Sequence, residues 1–419
     1  MEKLGVPTVY LTTSQFFEDA RFSAEDNGVP KLRIIGLPAD KYYSERITKE
    51  RAKPVAEAAI DAMVEMLTRP ITAEETKSPP KTVQPKTIQV TGESLATAIE
   101  NLNQLFLDNH WSDGLPILPA TPERVEWMLT GTNRSPEEEI GAISPRNGIA
   151  TVGKIAVNAV MAGAKPEYLP VIIAVIEGLA DERFDELHFL TSTGSFNLVI
   201  TMSGPIVNEI GMNPGLGLWS YGNRANSTIG RAVRMAMINM GHLWPGVNDM
   251  ALVGRASPHT FLVIAENQAL SPWEPYHVSQ GFKAEDSCVT LDVVGGYSPG
   301  GRLSIYGGGA VALVSPEAIL KSVIERWTES RRPQRHLLVL NPEIARELNS
   351  RLGYTRKSLQ SYLEENTKVP PENSHIIVAG GIPGYTMTLS GYQQGIYKPL
   401  AHITKLVRSA TLTKAGAVR

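Results

Sequence analysis

The chain has 419 residues, 42% of them hydrophobic and 20% charged, the profile of a globular protein large enough for two or three domains. A net charge of −3 gives no electrostatic ground for a nucleic-acid or anionic-membrane partner, and the single cysteine, Cys288, excludes an internal disulfide or a CxxC redox pair. The sequence shows no 18-residue apolar run and no signal-peptide pattern, so the expected location is cytoplasmic.

The first elements form an incomplete unit. Gly5-Val-Pro-Thr-Val-Tyr-Leu-Thr-Thr13 reads as a short buried strand ending in hydroxyls, and Leu32-Arg-Ile-Ile-Gly-Leu-Pro38 as a second one. An amphipathic helix lies between them and another follows, so residues 1–68 read strand–helix–strand–helix. Alternation of this kind implies a parallel sheet covered on its faces, yet two strands do not make a stable sheet alone. The expectation is part of a nucleophile-type α/β domain that something else completes.

Residues 69–92 carry four prolines and few large apolar groups, the composition of an extended linker. A helix is expected from Ser94, with Leu95, Ile99, Leu102, Leu105 and Phe106 on one face, ending in the turn around Asn109-His-Trp-Ser-Asp-Gly-Leu-Pro116. Helices at 121–130, 151–162, 167–179 and 225–240 and strands near 198–202, 260–265 and 288–294 follow. Beyond Ala310 come a strand, a helix at 316–330, a strand Leu337–Leu340, helices at 342–351 and 355–365, and a strand Ile376–Ala379. Residues 93–419 thus form one large α/β (or α+β) domain, with a candidate subdivision near residue 310.

Three stretches carry candidate chemistry. In Gly222-Asn-Arg-Ala-Asn-Ser-Thr-Ile-Gly-Arg231, Asn226, Ser227 and Thr228 are good caps for a helix, and Arg224 and Arg231 flank them. Free N–H groups at a helix start beside two arginines suit a substrate carboxylate; the same pattern also serves as a plain cap of a core helix. Glu266, Glu274 and His277 lie close in sequence, and Ser271-Pro-Trp-Glu-Pro-Tyr-His277 is a shaped loop in which Glu274 and His277 either do acid–base work or hold structure. Asp113 either orients a histidine or caps its turn, the turn being the favoured use.

Other signals point to structure. Cys288 sits in the apolar Ser287-Cys-Val-Thr-Leu-Asp-Val-Val294 without a basic neighbour, as a buried inert thiol does. The glycines at 295–296, 300–301 and 307–309 lack the dinucleotide spacing and read as turns between strands, so the sequence requires no cofactor. Gly380-Gly-Ile-Pro-Gly384 follows an apolar strand, as ligand loops do, without a clear helix after it. The histidines show no HxH, HxxxH or HExxH spacing, so no metal site is expected.

The runs Gly5-Val-Pro-Thr-Val9, Gln15-Phe-Phe17 and Gly28-Val-Pro-Lys-Leu-Arg-Ile-Ile-Gly-Leu-Pro38 resemble the UGSC family of cysteine or selenocysteine proteins, and more distantly the selenoprotein subunit of glycine and sarcosine reductases. Trp111–Val125, Arg224–Arg231, Glu266-Asn267 and Ser271–His277 resemble the C-terminal extension of many such proteins. In the family a Cys or Sec in a U/C-Gly-Ser/Thr-Cys loop precedes the first strand; Met1 falls after that point, and Leu37-Pro-Ala-Asp40 stands where the family shows Pro-His-Pro. The resemblance implies a reductase-like, thiol- or selenol-dependent oxidoreductase or lyase. In it this chain is the large subunit, and a small partner brings the nucleophile that cleaves or forms a carbon–heteroatom bond in a small organic acid derivative. His277, Glu274 and Asp113 are then the catalytic candidates, and Arg224, Asn226, Ser227, Thr228 and Arg231 the substrate-binding ones. The other reading is a non-catalytic scaffold or small-carboxylate binding subunit.

Overall fold

The computed structural model describes residues 4–26, 28–38, 48–75, 87–255, 257, 259–300, 315–329, 335–370, 373–381, 386–391 and 402–408. The strand expected just after Ala310, the glycines at 301–309 and most of Gly380–Gly384 lie outside them.

The N-terminal unit has the element order the sequence implies, but its first strand, expected to be buried, is partly exposed. Strand β1 (Tyr10–Thr13) pairs parallel with β2 (Ile34–Leu37) across helix α1 (Phe17–Asp26), and α2 (Lys49–Thr68) follows. Among the described residues these two strands pair only with each other, and Tyr10 and Leu11 stay 51% and 40% exposed. Its most engaged side chain is Arg33, 4% exposed at the mouth of β2. Its guanidinium donates to the carbonyls of Met66, Arg69 and Pro70 and, through two nitrogens at 2.8 and 3.0 Å, to the Glu75 carboxylate. The first residues of the expected linker are therefore fastened to the unit.

The larger part begins with α3 (Leu95–Asp108), capped by Ser94 through the Thr97 amide, and α4 (Pro122–Leu129). The apolar stripe foreseen on α3 is present, but no α3 residue is fully buried and Leu95, Ile99 and Leu105 remain exposed. A hairpin, β3 (Glu139–Ile143) with β4 (Gly148–Thr151), leads to α5 (Val152–Met161) and α6 (Leu169–Leu179). Every α6 residue except Glu177 is buried, as expected of a helix apolar on all sides. Short α7 (Glu186–Thr191), β5 (Asn197–Ser203), short α8 (Ile206–Glu209), α9 (Arg224–Asn239), β6 (Leu262–Ala265), short α10 (Tyr276–Ser279) and β7 (Cys288–Gly300) follow. Then come α11 (Pro316–Glu329), β8 (Arg335–Leu340), α12 (Pro342–Leu352), α13 (Arg356–Thr367), β9 (Ser374–Val378), β10 (Thr386–Gly391) and β11 (His402–Leu406). Gly295 and Gly296 do not turn the chain: β7 runs through them to Gly300.

One mixed sheet takes strands from both sides of residue 310, in the order β6-β5-β7-β10-β8-β9, with β11 also on β7. Val294 of β7 faces Asn197 of β5 on one edge and Gly391 of β10 on the other. β11 pairs with Cys288–Asp292, residues that also pair with β5, so β10 and β11 share one edge of β7 and the sheet forks there.

Alternation along the strands divides the core. Leu198, Ile200 and Met202 of β5 face α5, α6 and α9, and Leu338 and Leu340 of β8 pack with α11, α12 and α13. The intervening Val199, Ile264, Leu337, Val339 and Ile377 meet in a third cluster shared by both halves. Helix α9 can lie against β6 because Gly230 has no Cβ; one there would stand 2.2 Å from Thr260 Oγ1. Helices and mixed sheet make this an α/β or α+β chain, and among the described residues no helix is long and apolar enough to cross a membrane.

Arg33 and the Thr72 amide hold the Glu75 carboxyl down at about 2 from an ordinary 4.5. A depressed carboxyl stabilises the fold above its unfolded value, and the contribution is lost as pH falls from about 4.5 toward 2. Amide exchange of residues 66–75, corrected for intrinsic rates, is expected to rise over that window. In Glu75→Gln it should already be fast at neutral pH; equal protection in both proteins would show that the clamp does not hold the segment.

Candidate functional site

The strongest concentration of buried polar groups lies where β5 and β6 end. Ser203 is the last residue of β5, and the chain turns sharply after it: Gly204 has φ +104°, and a Cβ there would meet the Asp286 carbonyl at 2.2 Å. Glu266 follows β6, its amide bonded to the Met202 carbonyl. The loop from Ser271 delivers Tyr276 and His277 on the single turn of α10. Ser203, Glu266 and His277 are 1%, 1% and 0% exposed.

Ser203 Oγ stands 2.6 Å from both Glu266 Oε2 and His277 Nδ1, while His277 Nε2 is 2.9 Å from the Lys283 carbonyl. A hydroxyl has one proton to give. If Ser203 donates to Glu266, His277 Nδ1–H must donate to Ser203 while Nε2–H donates to Lys283, so the three contacts hold together only with one proton beyond carboxylate, hydroxyl and neutral imidazole. Glu266 also accepts from the Tyr276 amide at 2.8 and 2.9 Å and from Arg356 Nη2 of α13 at 2.8 Å. A buried carboxylate is tolerable only with such donors around it.

The network continues through Tyr276. Its hydroxyl is 2.9 Å from His375 Nδ1 of β9, His375 stacks on His402 of β11 at 3.9 Å, and His402 Nδ1 is 2.8 Å from Asp292 Oδ1 of β7. Arg335 Nη1 reaches the same oxygen at 3.4 Å. Asp292, His375 and His402 each present a ligand atom within 4.8 Å of the others, a metal-ligand grouping that sequence spacing missed because its members sit on three different strands. Burial pushes the Asp292 carboxyl up, against the lowering effects of His375 and Arg335. One signal was available: Asp292 interrupts an otherwise apolar strand.

The residues marked from sequence are placed differently from expectation. His277 does not pair with Glu274, which is exposed and contributes only its backbone carbonyl, to Arg356 at 2.5 Å; Glu266 is the carboxylate of the pair. Asp113 orients no histidine. It accepts the Leu115 amide at 3.2 Å, the turn cap that was favoured, and is bridged by Arg231 Nε and Nη2 at 2.8 and 2.9 Å.

The start of α9 also needs correction. The cap is Asn223, whose Oδ1 accepts from the Asn226 amide at 3.0 Å, so Arg224 is already helical. Asn226 instead ties a loop, bonding Asn213 and the Leu218 carbonyl. Ser227 donates its amide to the Asn223 carbonyl, and the Thr228 hydroxyl donates to the Arg224 carbonyl. Arg231 is spent on Asp113 and on the Leu115 and Pro116 carbonyls. Arg224, exposed, donates Nε to the Gly163 carbonyl at 2.9 Å. These contacts are those of a cap and a brace, not of a preformed two-arginine anion site.

Residues 1–69, which contain the N-terminal unit, match the model of the UGSC family. The stretches Trp111–Val125, Arg224–Arg231 and Ser271–His277 lie outside the matched residues. No curated protein and no solved structure matches the chain.

Asp113 is 2% exposed at its side chain and has Arg231 as its ion-pair partner. Arg231→Ala leaves that carboxylate buried and unpaired and is expected to cost about 3 kcal/mol or more. Arg231→Lys should recover only part of this, because an ammonium cannot make the two-pronged contact. Thermal or denaturant melts of the three proteins test the assignment; an Arg231→Ala variant as stable as the parent would refute it.

Proposed function

We propose, with residues 1–69 as a UGSC-family segment, that this chain is the large subunit of a hetero-oligomeric enzyme whose partner brings the reactive cysteine or selenocysteine. The observation that carries the reading is the state of the one thiol present. Cys288 is fully buried, facing Ser203 of β5 on one side and Leu406 of β11 on the other, and burial pushes its thiol up to about 12, with Asp286 adding to the shift. Attack on a substrate needs an accessible thiolate, and Cys288 offers neither the charge nor the access. Chemistry of the kind the family name implies therefore calls for a residue beyond these 419.

The β1–β2 pair supports the same reading. Among the described residues the β1–β2 sheet has two strands with Tyr10 and Leu11 half exposed, which is marginal by itself and suited to extension by another strand. A partner strand there would complete the parallel sheet and bring its loop to this chain. The reaction is thiolate or selenolate attack on a small organic acid derivative, with a carbon–heteroatom bond cleaved or formed. Arg224, exposed on the first turn of α9, is the remaining candidate for the substrate carboxylate. A non-catalytic scaffold is the second reading, and the sealing of His277 favours it.

Native mass spectrometry of the complex purified on this chain is the test. We expect a second polypeptide with a Cys- or Sec-Gly-Ser-Cys loop, lost when Leu11→Asp places a charge on the β1 edge while the melting of the larger part stays unchanged. Cys288→Ala should cost about 1 kcal/mol of stability and leave turnover of the complex within about threefold. Turnover by the isolated chain that vanishes in Cys288→Ala would return the nucleophile to this chain and sink the proposal. A complex whose turnover is indifferent to every substitution here would establish the scaffold.

A further inference from the structure

The notch where β7 forks holds a buried acid whose partners do not account for it. Asp292 is 0% exposed, and among the described residues its Oδ2 has no hydrogen-bond partner. An unsatisfied carboxylate oxygen in the interior is expensive, and native proteins seldom leave one without a proton, a donor or a cation. Oδ1 is better served, by His402 Nδ1 at 2.8 Å and Arg335 Nη1 at 3.4 Å.

The His402 contact is informative. Its Nε2 lies 3.3 Å from Gln280 Oε1, so acceptors face both ring nitrogens, and a neutral ring with its proton on Nε2 turns its Nδ1 lone pair toward Asp292. A lone pair and a carboxylate oxygen at 2.8 Å repel unless a proton or a metal ion lies between them. Two donors held about 2.0–2.1 Å from one tetrahedral ion stand about 3.4 Å apart, so the pair at 2.8 Å has to open by a few tenths of an ångström to take one. His375, stacked on His402, brings the third donor within 4.8 Å, and Tyr276 Oη holds its Nδ1. Such outer hydrogen bonds commonly orient ligating imidazoles. The His402 side chain is 12% exposed, which leaves an entry path.

We propose that Asp292, His375 and His402 form a binding site for a zinc-class divalent ion in the notch between β11 and β9. Two imidazoles and a carboxylate suit Zn²⁺ and leave it an open coordination position for water or a substrate oxygen. Tyr276 and Gln280 act as positioning residues. The inference is independent of the thiol chemistry proposed above, since neither the β1 edge nor Cys288 enters it.

The full chain, with any subunit that co-purifies, is stripped with a chelator and titrated with Zn²⁺ by calorimetry. Co²⁺ in place of Zn²⁺ supplies a visible absorption band as a second readout. The expectation is one ion per chain, with affinity weakened at least about 100-fold in His402→Gln and in Asp292→Asn, and about tenfold in Tyr276→Phe. His402→Gln sits at a partly exposed edge and carries the test if Asp292→Asn does not fold. Failure of the stripped protein to take up one equivalent would overturn the proposal, and so would undiminished uptake and an unchanged Co²⁺ band in a folded His402→Gln. In either case the three residues would be a protonated ion-pair cluster.

Discussion

Glu266 is a buried carboxylate at which three parts of the chain must agree. It accepts from Ser203 at the end of β5, from the Tyr276 amide in the proline-rich loop, and from Arg356 on α13. The Glu266–Arg356 contact spans 90 residues and joins the half of the sheet before residue 310 to the half after it. Remove either charge and the other is stranded in the interior, a much larger loss than the net worth of the pair. The third apolar cluster, built from both halves, is the packing counterpart of the same constraint.

Much of the framework is legible in the sequence, for a physical reason. α5, α6, α9, α11, α12 and α13 each bury one or more faces of a long helix, and that periodicity survives without tertiary knowledge. β5, β8 and β9, and the first part of β7, are largely apolar runs and are equally visible, whereas the continuation of β7 to Gly300 is not. The β3–β4 hairpin and strands β10 and β11 escape because they are short or mixed in polarity: β11 reads His-Ile-Thr-Lys-Leu and is a strand chiefly because β7 has an edge free for it.

The site is legible only in part. Glu266 and His277 stand out as polar residues in a shaped loop, but nearness in sequence favours Glu274 as the partner of His277, whereas the fold turns Glu274 outward and brings Glu266 in beneath Ser203. The start of α9 shows the same limit. Asn223, Asn226, Ser227 and Thr228 all have cap chemistry, and only the backbone path decides that Asn223 performs it. Arg231 carries the charge of an anion site, but its role depends on a loop more than a hundred residues away, where Asp113 waits. Long-range pairing of charges leaves no local trace, and Asp292, His375 and His402 are the extreme case.

The burial of Cys288 has a practical side. With the chain's one thiol sealed between two strands and held in its protonated form, the chain offers thiol-directed electrophiles no thiolate of its own. In any assembly that this chain enters, a thiol-directed reagent applied to the folded complex reports on the other subunits. An enzyme that works through a selenolate or thiolate gains from such a neighbour, since no second thiol stands by to form an off-pathway mixed disulfide with the active one.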